Sequence, residues 1–368
     1  MAALFRPLLA FYVPFLLVYW LLLVALGVIF AWPGENGSLS LGGMLVVAVV
    51  GLTLVQTLWT ARHFFRQADE IKNPLELPVP RELLGELQQF VENIAADRGS
   101  PVPHEIRLAA DTIAAVSEDR TGRRILVLGG PALMLLSERA LSGVIAHELG
   151  HFAAGDTQLS RFGHNKVVVM VSLEIDFART RFLRWNPLVW LLRGYHHLCF
   201  LARAADSREC EYRADREEVR QIGKAEAAAT LVFITVPERL PWVRLTSIAE
   251  SFAFTREPLD DLFAEQRQRL KSITPSEWEE AFRKALALQT ERFDTHPCLR
   301  ERLKAIGVSP KKAMAFALKQ KGAPIVDRLA SWPAIEKILS QRVTALCREY
   351  YHLKLEMAQI MLGGPLHD

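Results

Sequence analysis

Two long runs without a charge open the chain. The first, LAFYVPFLLVYWLLLVALGVIFAW, extends from Leu9 to Trp32, and the second, LGGMLVVAVVGLTLVQTLWTA, from Leu41 to Ala61. A hydrocarbon core is about 30 Å thick, so each run is long enough to cross it as a helix. Trp32 and Trp59 stand at run ends, where interfacial aromatics belong. A cleaved signal peptide fits less well, because its apolar core would be shorter and no second run would follow at once. The pattern predicts a two-helix transmembrane hairpin over residues 1–61. Arg6 precedes the first run, Arg62, Arg66 and Lys72 follow the second, and the loop between them carries Glu35 and no Lys or Arg. The positive-inside rule then places both termini and everything after residue 61 in the cytoplasm, which for a bacterium means an inner-membrane protein.

Beyond the hairpin the hydrophobic period changes. Residues 62–100 read as a Pro-punctuated connector followed by an amphipathic helix with Leu84, Leu87, Phe90, Val91 and Ile94 at helical spacing. EIRLAA, TIAAVSED and RRILVLGG read as short strands separated by polar turns such as Arg120-Thr121-Gly122. Ser137 is placed to cap the next helix, and from about Phe162 onward the pattern is helical almost throughout. The predicted class is α+β and mostly helical, with a small sheet beside a helical body at 101–307 and a C-terminal helical extension at 308–368. Within that extension SQRVTALCREYYHLKLEMAQIML has the spacing of an amphipathic helix, suited to packing on the body or on a partner. Two later apolar stretches, VVVMVSLEIDFA and FLRWNPLVWLLRGYHHLCFLA, contain Glu174, Asp176, Arg184, Arg193 and the pair His196-His197, which lipid exposure would make costly. The segment 164–205 therefore reads either as a surface lying on anionic headgroups or as an ordinary helix pair on the body.

Composition alters this picture little. Half of the 368 residues are hydrophobic, and the excess is the hairpin. The net charge is only +3, with no basic run interleaved with aromatics, so no nucleic-acid partner is expected. The four cysteines form no CxxC pair, which argues against a disulfide framework and against a Cys-rich zinc site.

The chemistry sits in VIAHELGHFAAGD, Val144 to Asp156. His147, Glu148 and His151 form H-E-x-x-H, and on a helix residues four apart share a face, so both imidazoles can reach one ion. Zinc is the metal such a pair usually serves, and a catalytic zinc needs a third protein ligand and an open position. Glu148, one residue along, can take a proton from a zinc-activated water. On the helical wheel Leu141, Ile145, Leu149 and Phe152 form an apolar stripe, the motif lies on its flank, and Gly143, Ala146, Gly150 and Ala154 lie opposite. Such a helix is packed on several sides, and charge there needs a partner. The third histidine of H-E-x-x-H-x-x-G-x-x-H is missing, since Ala154 and Thr157 hold the diagnostic places.

ADSRECEYRAD, Ala205 to Asp215, offers the missing ligand. Arg208 and Asp215 fall within the apolar face of their helix and Glu211 on its flank. Glu211 can bind zinc, and Asp215, one turn on, can accept from a zinc-bound imidazole and fix its tautomer. An internal salt bridge from Arg208 to either acid is the competing reading. Cys210 is chemically tempting but points about 180° away on the wheel.

HELGH, then S-R-x-x-E-Y-x-A-D about sixty residues later, then T-H-P-x-L-x-x-R at Thr295 to Arg302, resembles the HtpX and CAAX prenyl endopeptidase family of membrane zinc metalloproteases. The resemblance implies a gluzincin-type domain at 101–307, one zinc per chain on His147, His151 and Glu211, Glu148 as base, and His296 and Arg302 near the active site. It implies a zinc-dependent endopeptidase acting on protein or peptide substrates, by analogy in membrane-protein quality control. The chain departs from the family in having a short, charged segment where a second hydrophobic pair would lie, and the residues after Gly307 match no motif. Leu126, Val127 and Leu128, in the strand just before the zinc helix, are expected at a sheet edge where extended substrate can pair. The rival reading is a non-catalytic membrane adaptor with structural zinc, which would need a fourth protein ligand. Homo-oligomerisation is left open.

Overall fold

The computed structural model describes residues 5–31, 41–45, 47–52, 55, 76–77, 79, 81–109, 114–119, 121–154, 170–171, 175, 187–252, 261–319 and 322–361. Helix α1 (Phe5–Ala31) precedes strand β1 (Glu76–Leu77), helix α2 (Gly85–Arg98) and strands β2 (Glu105–Ala109), β3 (Ala114–Glu118) and β4 (Arg124–Gly129). Then come α3 (Gly130–Leu135), α4 (Glu138–Ala153), α5 (Pro187–Ile222), α6 (Lys224–Thr235), α7 (Leu245–Phe252) and α8 (Leu262–Ser272). The chain ends with α9 (Pro275–Ala287), α10 (Leu299–Ile306), α11 (Pro310–Ala317) and α12 (Trp332–Met361). The residues group into two compact units.

The first unit comprises Met1–Glu70, Leu159–Glu209 and Glu291–His296. In α1 the stretch Ala10–Ile29 is long and apolar enough to cross a membrane. Phe11, Leu17, Val18, Leu21 and Leu22 are exposed on it, whereas Tyr12 and Leu16 are buried against Leu192, Cys199 and Ala202 of α5 and against Met170. The Tyr12 hydroxyl meets His196 Nε2 at 3.2 Å, which gives a buried polar pair inside an apolar contact its hydrogen bond. A shorter apolar helix, Leu41–Leu52, touches α1 at Gly27, where an added Cβ would lie 3.3 Å from the Val50 methyls. The rest of the expected second arm, apart from Val55, lies outside the described residues, as does most of 164–186.

The second unit comprises Ile71–Gln158, Cys210–Thr290 and Pro297–Asp368. Its sheet has the order β1-β2-β4-β3, with β2 parallel to β4 and β3 antiparallel to it, Val116 facing Leu126. The three strands read from the sequence are all present; the short β1 carried too few residues to be read. β4 lies between two partners, which corrects the expectation for Leu126, Val127 and Leu128. These residues are almost fully buried in the centre of the sheet, their backbone groups are used in ladders on both sides, and β3 is the edge. Between β3 and β4, Gly122 takes φ +83, and the Asp119 carboxylate accepts from the Thr121 and Arg123 amides.

One face of the sheet, Leu108, Leu126 and Leu128, joins Leu87, Val91 and Ile94 of α2 and Leu141, Ile145 and Leu149 of α4 in one core. The apolar stripes predicted for both helices are thus the faces they bury. The same core takes Ile325, Leu329, Trp332, Ile335, Leu339 and Val343, so the region after Gly307 contributes to it directly. Its entry is stitched to the start of α4: Pro324 pairs with Ser137, the Glu138 amide donates to Ala323 O at 3.2 Å, and Arg328 Nε meets Glu138 Oε1 at 2.9 Å. Gly322 permits this approach, because its φ is +131 and a Cβ there would lie 2.8 Å from that of Ser137. A second core gathers Ala228 and Val232 of α6, Phe282 of α9, Leu303 of α10 and Ala313 of α11.

Candidate active site

Ser137 caps α4 as the sequence predicts, its hydroxyl accepting from the Ala140 amide at 3.2 Å. The helix then carries His147, Glu148 and His151 at its C-terminal end. Its small-residue side meets α5. A Cβ at Gly150 would be 3.7 Å from Ala214 Cα, and one at Gly143 would be 3.2 Å from Glu218 Cγ. The two helices therefore run close enough for side chains of α5 to reach both imidazoles.

Glu211 lies between them. Its Oε2 is 3.7 Å from His147 Nε2 and its Oε1 is 3.7 Å from His151 Nε2. These separations are too long for hydrogen bonds. They are close to the edge of a tetrahedron of ligands about 2.0–2.1 Å from a central zinc, which is roughly 3.4 Å. The three donors come from two rigid helices, and His147 and Glu211 are buried. The donor set therefore fits zinc.

The surroundings hold these donors. Asp215 Oδ1 is 3.3 Å from His147 Nδ1, on the side of the ring away from Glu211. Arg302 of α10 grips Asp215 with both arms of its fork: Nε donates to Oδ2 at 3.0 Å and Nη2 to Oδ1, and Nη1 is 3.9 Å from Glu211 Oε2. Burial alone would push the Asp215 carboxyl up, but Arg302 and the His147 contact hold it below the ordinary range. Burial alone would likewise lower the His147 pKa, yet the neighbouring Asp215 and Glu211 carboxylates raise it to about 10. The pocket thus calls for positive charge at this ring. Burial raises the Glu148 carboxyl above the usual Glu range, against the pull of His147 and His151.

The structure brings together His147, Glu148, His151, Glu211, Asp215 and Arg302. The alternative salt bridge from Arg208 is not formed; its guanidinium donates to Asp294 O at 2.6 Å within the first unit. His296 is an exposed residue of that unit. Cys210 Sγ accepts from Arg213 at 3.0 Å, and neither candidate donor group contains it. Sequence reasoning passed over Glu218. It is 2 % exposed, its Oε2 is 4.0 Å from His147 Nδ1, its Oε1 has no hydrogen-bond partner, and burial raises its pKa to about 7. The signal was available, because Glu218 is three residues from Asp215 and seven from Glu211, on the same side of α5.

Comparison with known proteins agrees with this geometry. The pattern of Peptidase family M48 matches residues 83–308, more than half of the chain. A protease HtpX homolog from Thermoanaerobacter pseudethanolicus is 26% identical over 299 residues, covering 71% of this chain and 93% of the relative. A protease HtpX homolog from Pyrobaculum aerophilum is 27% identical over 239 residues, covering 59% of this chain and 66% of the relative.

Proposed function

The chain belongs to peptidase family M48, with HtpX-like relatives, and on that premise we propose that it is a membrane-anchored zinc endopeptidase in which His147, His151 and Glu211 hold the metal and Glu148 is the base. The family assignment makes it a metalloprotease. The observation that carries the finer reading is the pair of 3.7 Å separations between Glu211 and the two imidazoles. Zinc bound there would supply a Lewis acid that polarises the scissile carbonyl and acidifies a water. Glu148, placed beside the donors and raised by burial, would serve as the base that takes a proton from the attacking water and passes it to the leaving amine. Asp215 Oδ1, 3.3 Å from His147 Nδ1, would orient the ring so that Nε2 faces the metal, and Arg302 fixes Asp215. A catalytic part for His296, as a donor to the developing oxyanion, is supported by the motif alone.

Extended substrate would add to the edge strand β3, which also lies against α4. The apolar α1 and the helix Leu41–Leu52 support a hairpin anchor, and Arg6, Arg62 and Arg66 support a cytoplasmic catalytic domain. Surplus or misfolded membrane proteins are the substrates that suit such an enzyme. The adaptor reading needs a closed metal site, whereas the Glu211 group offers three protein donors among the described residues.

The test is proteolysis of an unfolded protein by the full chain in detergent. Wild type should cleave, phenanthroline should stop it, and zinc should restore it. Glu148→Gln should keep fold and zinc but lose cleavage by at least about a hundredfold, the lower range for acid–base catalysis. Cleavage undiminished in Glu148→Gln would refute the mechanism.

A further inference from the structure

On the far side of His147 from Glu211 there is a second set of donors. His147 Nδ1, Asp215 and Glu218 each offer an atom, all within 4.8 Å of one another and all buried. Glu218 is the telling member. It is 2 % exposed, and its Oε1 has no hydrogen-bond partner. A carboxylate so buried is expensive unless a cation or a donor meets it. The cation present is Arg302, whose fork closes on both oxygens of Asp215. Arg302 is also near enough to favour the charged form of Glu218.

We propose that Arg302 keeps the metal centre mononuclear: its guanidinium is a built-in cation seated where Asp215 and Glu218 would otherwise recruit a second divalent ion beside His147 Nδ1. The charge balance explains why a guanidinium serves. Four acids crowd this pocket: Glu148, Glu211, Asp215 and Glu218. With Arg302 gone, its positive charge beside Asp215 and Glu218 is lost, and a divalent ion is the cation that these acids and His147 Nδ1 would hold in its place. Geometry points the same way. The fork holds Asp215 in the plane of its carboxylate, which a lysine ammonium would not do. A monovalent partner also leaves Nδ1–H of His147 in place, so Nε2 serves a single zinc.

The proposal rests on the reading of His147, His151 and Glu211 as the zinc ligands, and metal stoichiometry separates the two. The full chain is purified in detergent, equilibrated with excess zinc, passed through a desalting column and analysed for zinc per chain. Wild type should hold one equivalent. Arg302→Met, which keeps an unbranched apolar stem and removes the guanidinium and its charge, should hold two, and Arg302→Met/Glu218→Gln should return to one. Wild type without zinc would overturn the ligand reading and this inference with it. Wild type with one and Arg302→Met also with one would overturn this inference alone, as would two equivalents surviving in the double variant. Arg302→Met that stays unfolded even when produced in excess zinc also counts against it, because a divalent ion must be able to replace the guanidinium.

Discussion

Replacing Gly143 by alanine tests whether the close passage of α4 and α5 is what brings the metal donors together. A Cβ at Gly143 would fall on Ile222 Cδ1, 3.0 Å from its Cγ1 and 3.2 Å from Glu218 Cγ. Ile222 is 3 % exposed and β-branched, so it cannot swing aside freely. Overfilling such a site costs about 1–3 kcal/mol. Against that, alanine in a helix interior is better than glycine by about 1 kcal/mol. The net expectation is a loss of about 0–2 kcal/mol. Gly150→Ala is the matched control on the same helix. Its nearest neighbour is the Cγ of the half-buried Glu217 at 3.2 Å, and Ala214 Cα is 3.7 Å away, so the helix gain should prevail and the variant should be as stable as wild type or more so. Thermal unfolding of the full chain in detergent should place Gly143→Ala below Gly150→Ala by a few degrees, since about 1 kcal/mol moves a domain this large by roughly 2–4 °C. Zinc affinity should fall in Gly143→Ala, because displacing Ile222 and Glu218 shifts the helix that carries Glu211. Gly143→Ala more stable than Gly150→Ala, or with unchanged zinc affinity, would refute the argument.

Three further outcomes follow from the same contacts. Glu211→Gln should weaken zinc binding by more than the roughly 10–100-fold that loss of an outer partner costs, whereas Cys210→Ser should leave zinc content unchanged by metal analysis. Removing residues 323–368 strips Ile325, Trp332, Ile335, Leu339 and Val343 from the core, at about 1.5–3 kcal/mol each. Together these rival the whole stability of a domain, so circular dichroism and protease resistance should show no folded product. Thr274→Ala should lower the unfolding midpoint by breaking a capping box in which Glu277 Oε2 accepts from the Thr274 amide and hydroxyl, each at 2.8 Å. Those donors hold the Glu277 carboxyl below its ordinary value, so their contribution is present above about pH 4.3 and is lost as pH falls through the folded pKa; the gap between variant and wild type should narrow in acid.

The site was more legible in the sequence than the sheet. H-E-x-x-H and the wheel of ADSRECEYRAD identified five residues that the fold brings together, His147, Glu148, His151, Glu211 and Asp215, because helical periodicity converts spacing directly into direction. The strands themselves were also readable, from Glu105 to Gly129. Their order was not, since pairing is a long-range choice: β2 takes β4 as a parallel neighbour across the intervening β3, and this puts Leu126–Leu128 at the centre and β3 at the edge. Glu218 escaped notice because its role depends on the depth of the α4–α5 contact at Gly143, which no single-helix wheel contains. The Arg302–Asp215 fork joins positions 87 residues apart, and only the motif resemblance pointed to it.

The stitch between Ala323–Pro324 and the first turn of α4 sets a timetable. A ribosome extends a chain from its N-terminus at about 5–20 residues per second. Every donor and every supporting acid of the centre, from His147 to Arg302, emerges before that stitch can form. Yet the core beneath α4 is completed by Ile325, Trp332, Ile335 and Leu339, and Ser137 and Glu138 find their backbone partners only at Pro324 and Ala323. A nascent chain thus holds all the side chains of a hydrolase while lacking one wall of the core that aligns them. The fold makes the emergence of the segment from Ala323 to Val343, rather than synthesis of the motif, the moment at which this protease is assembled.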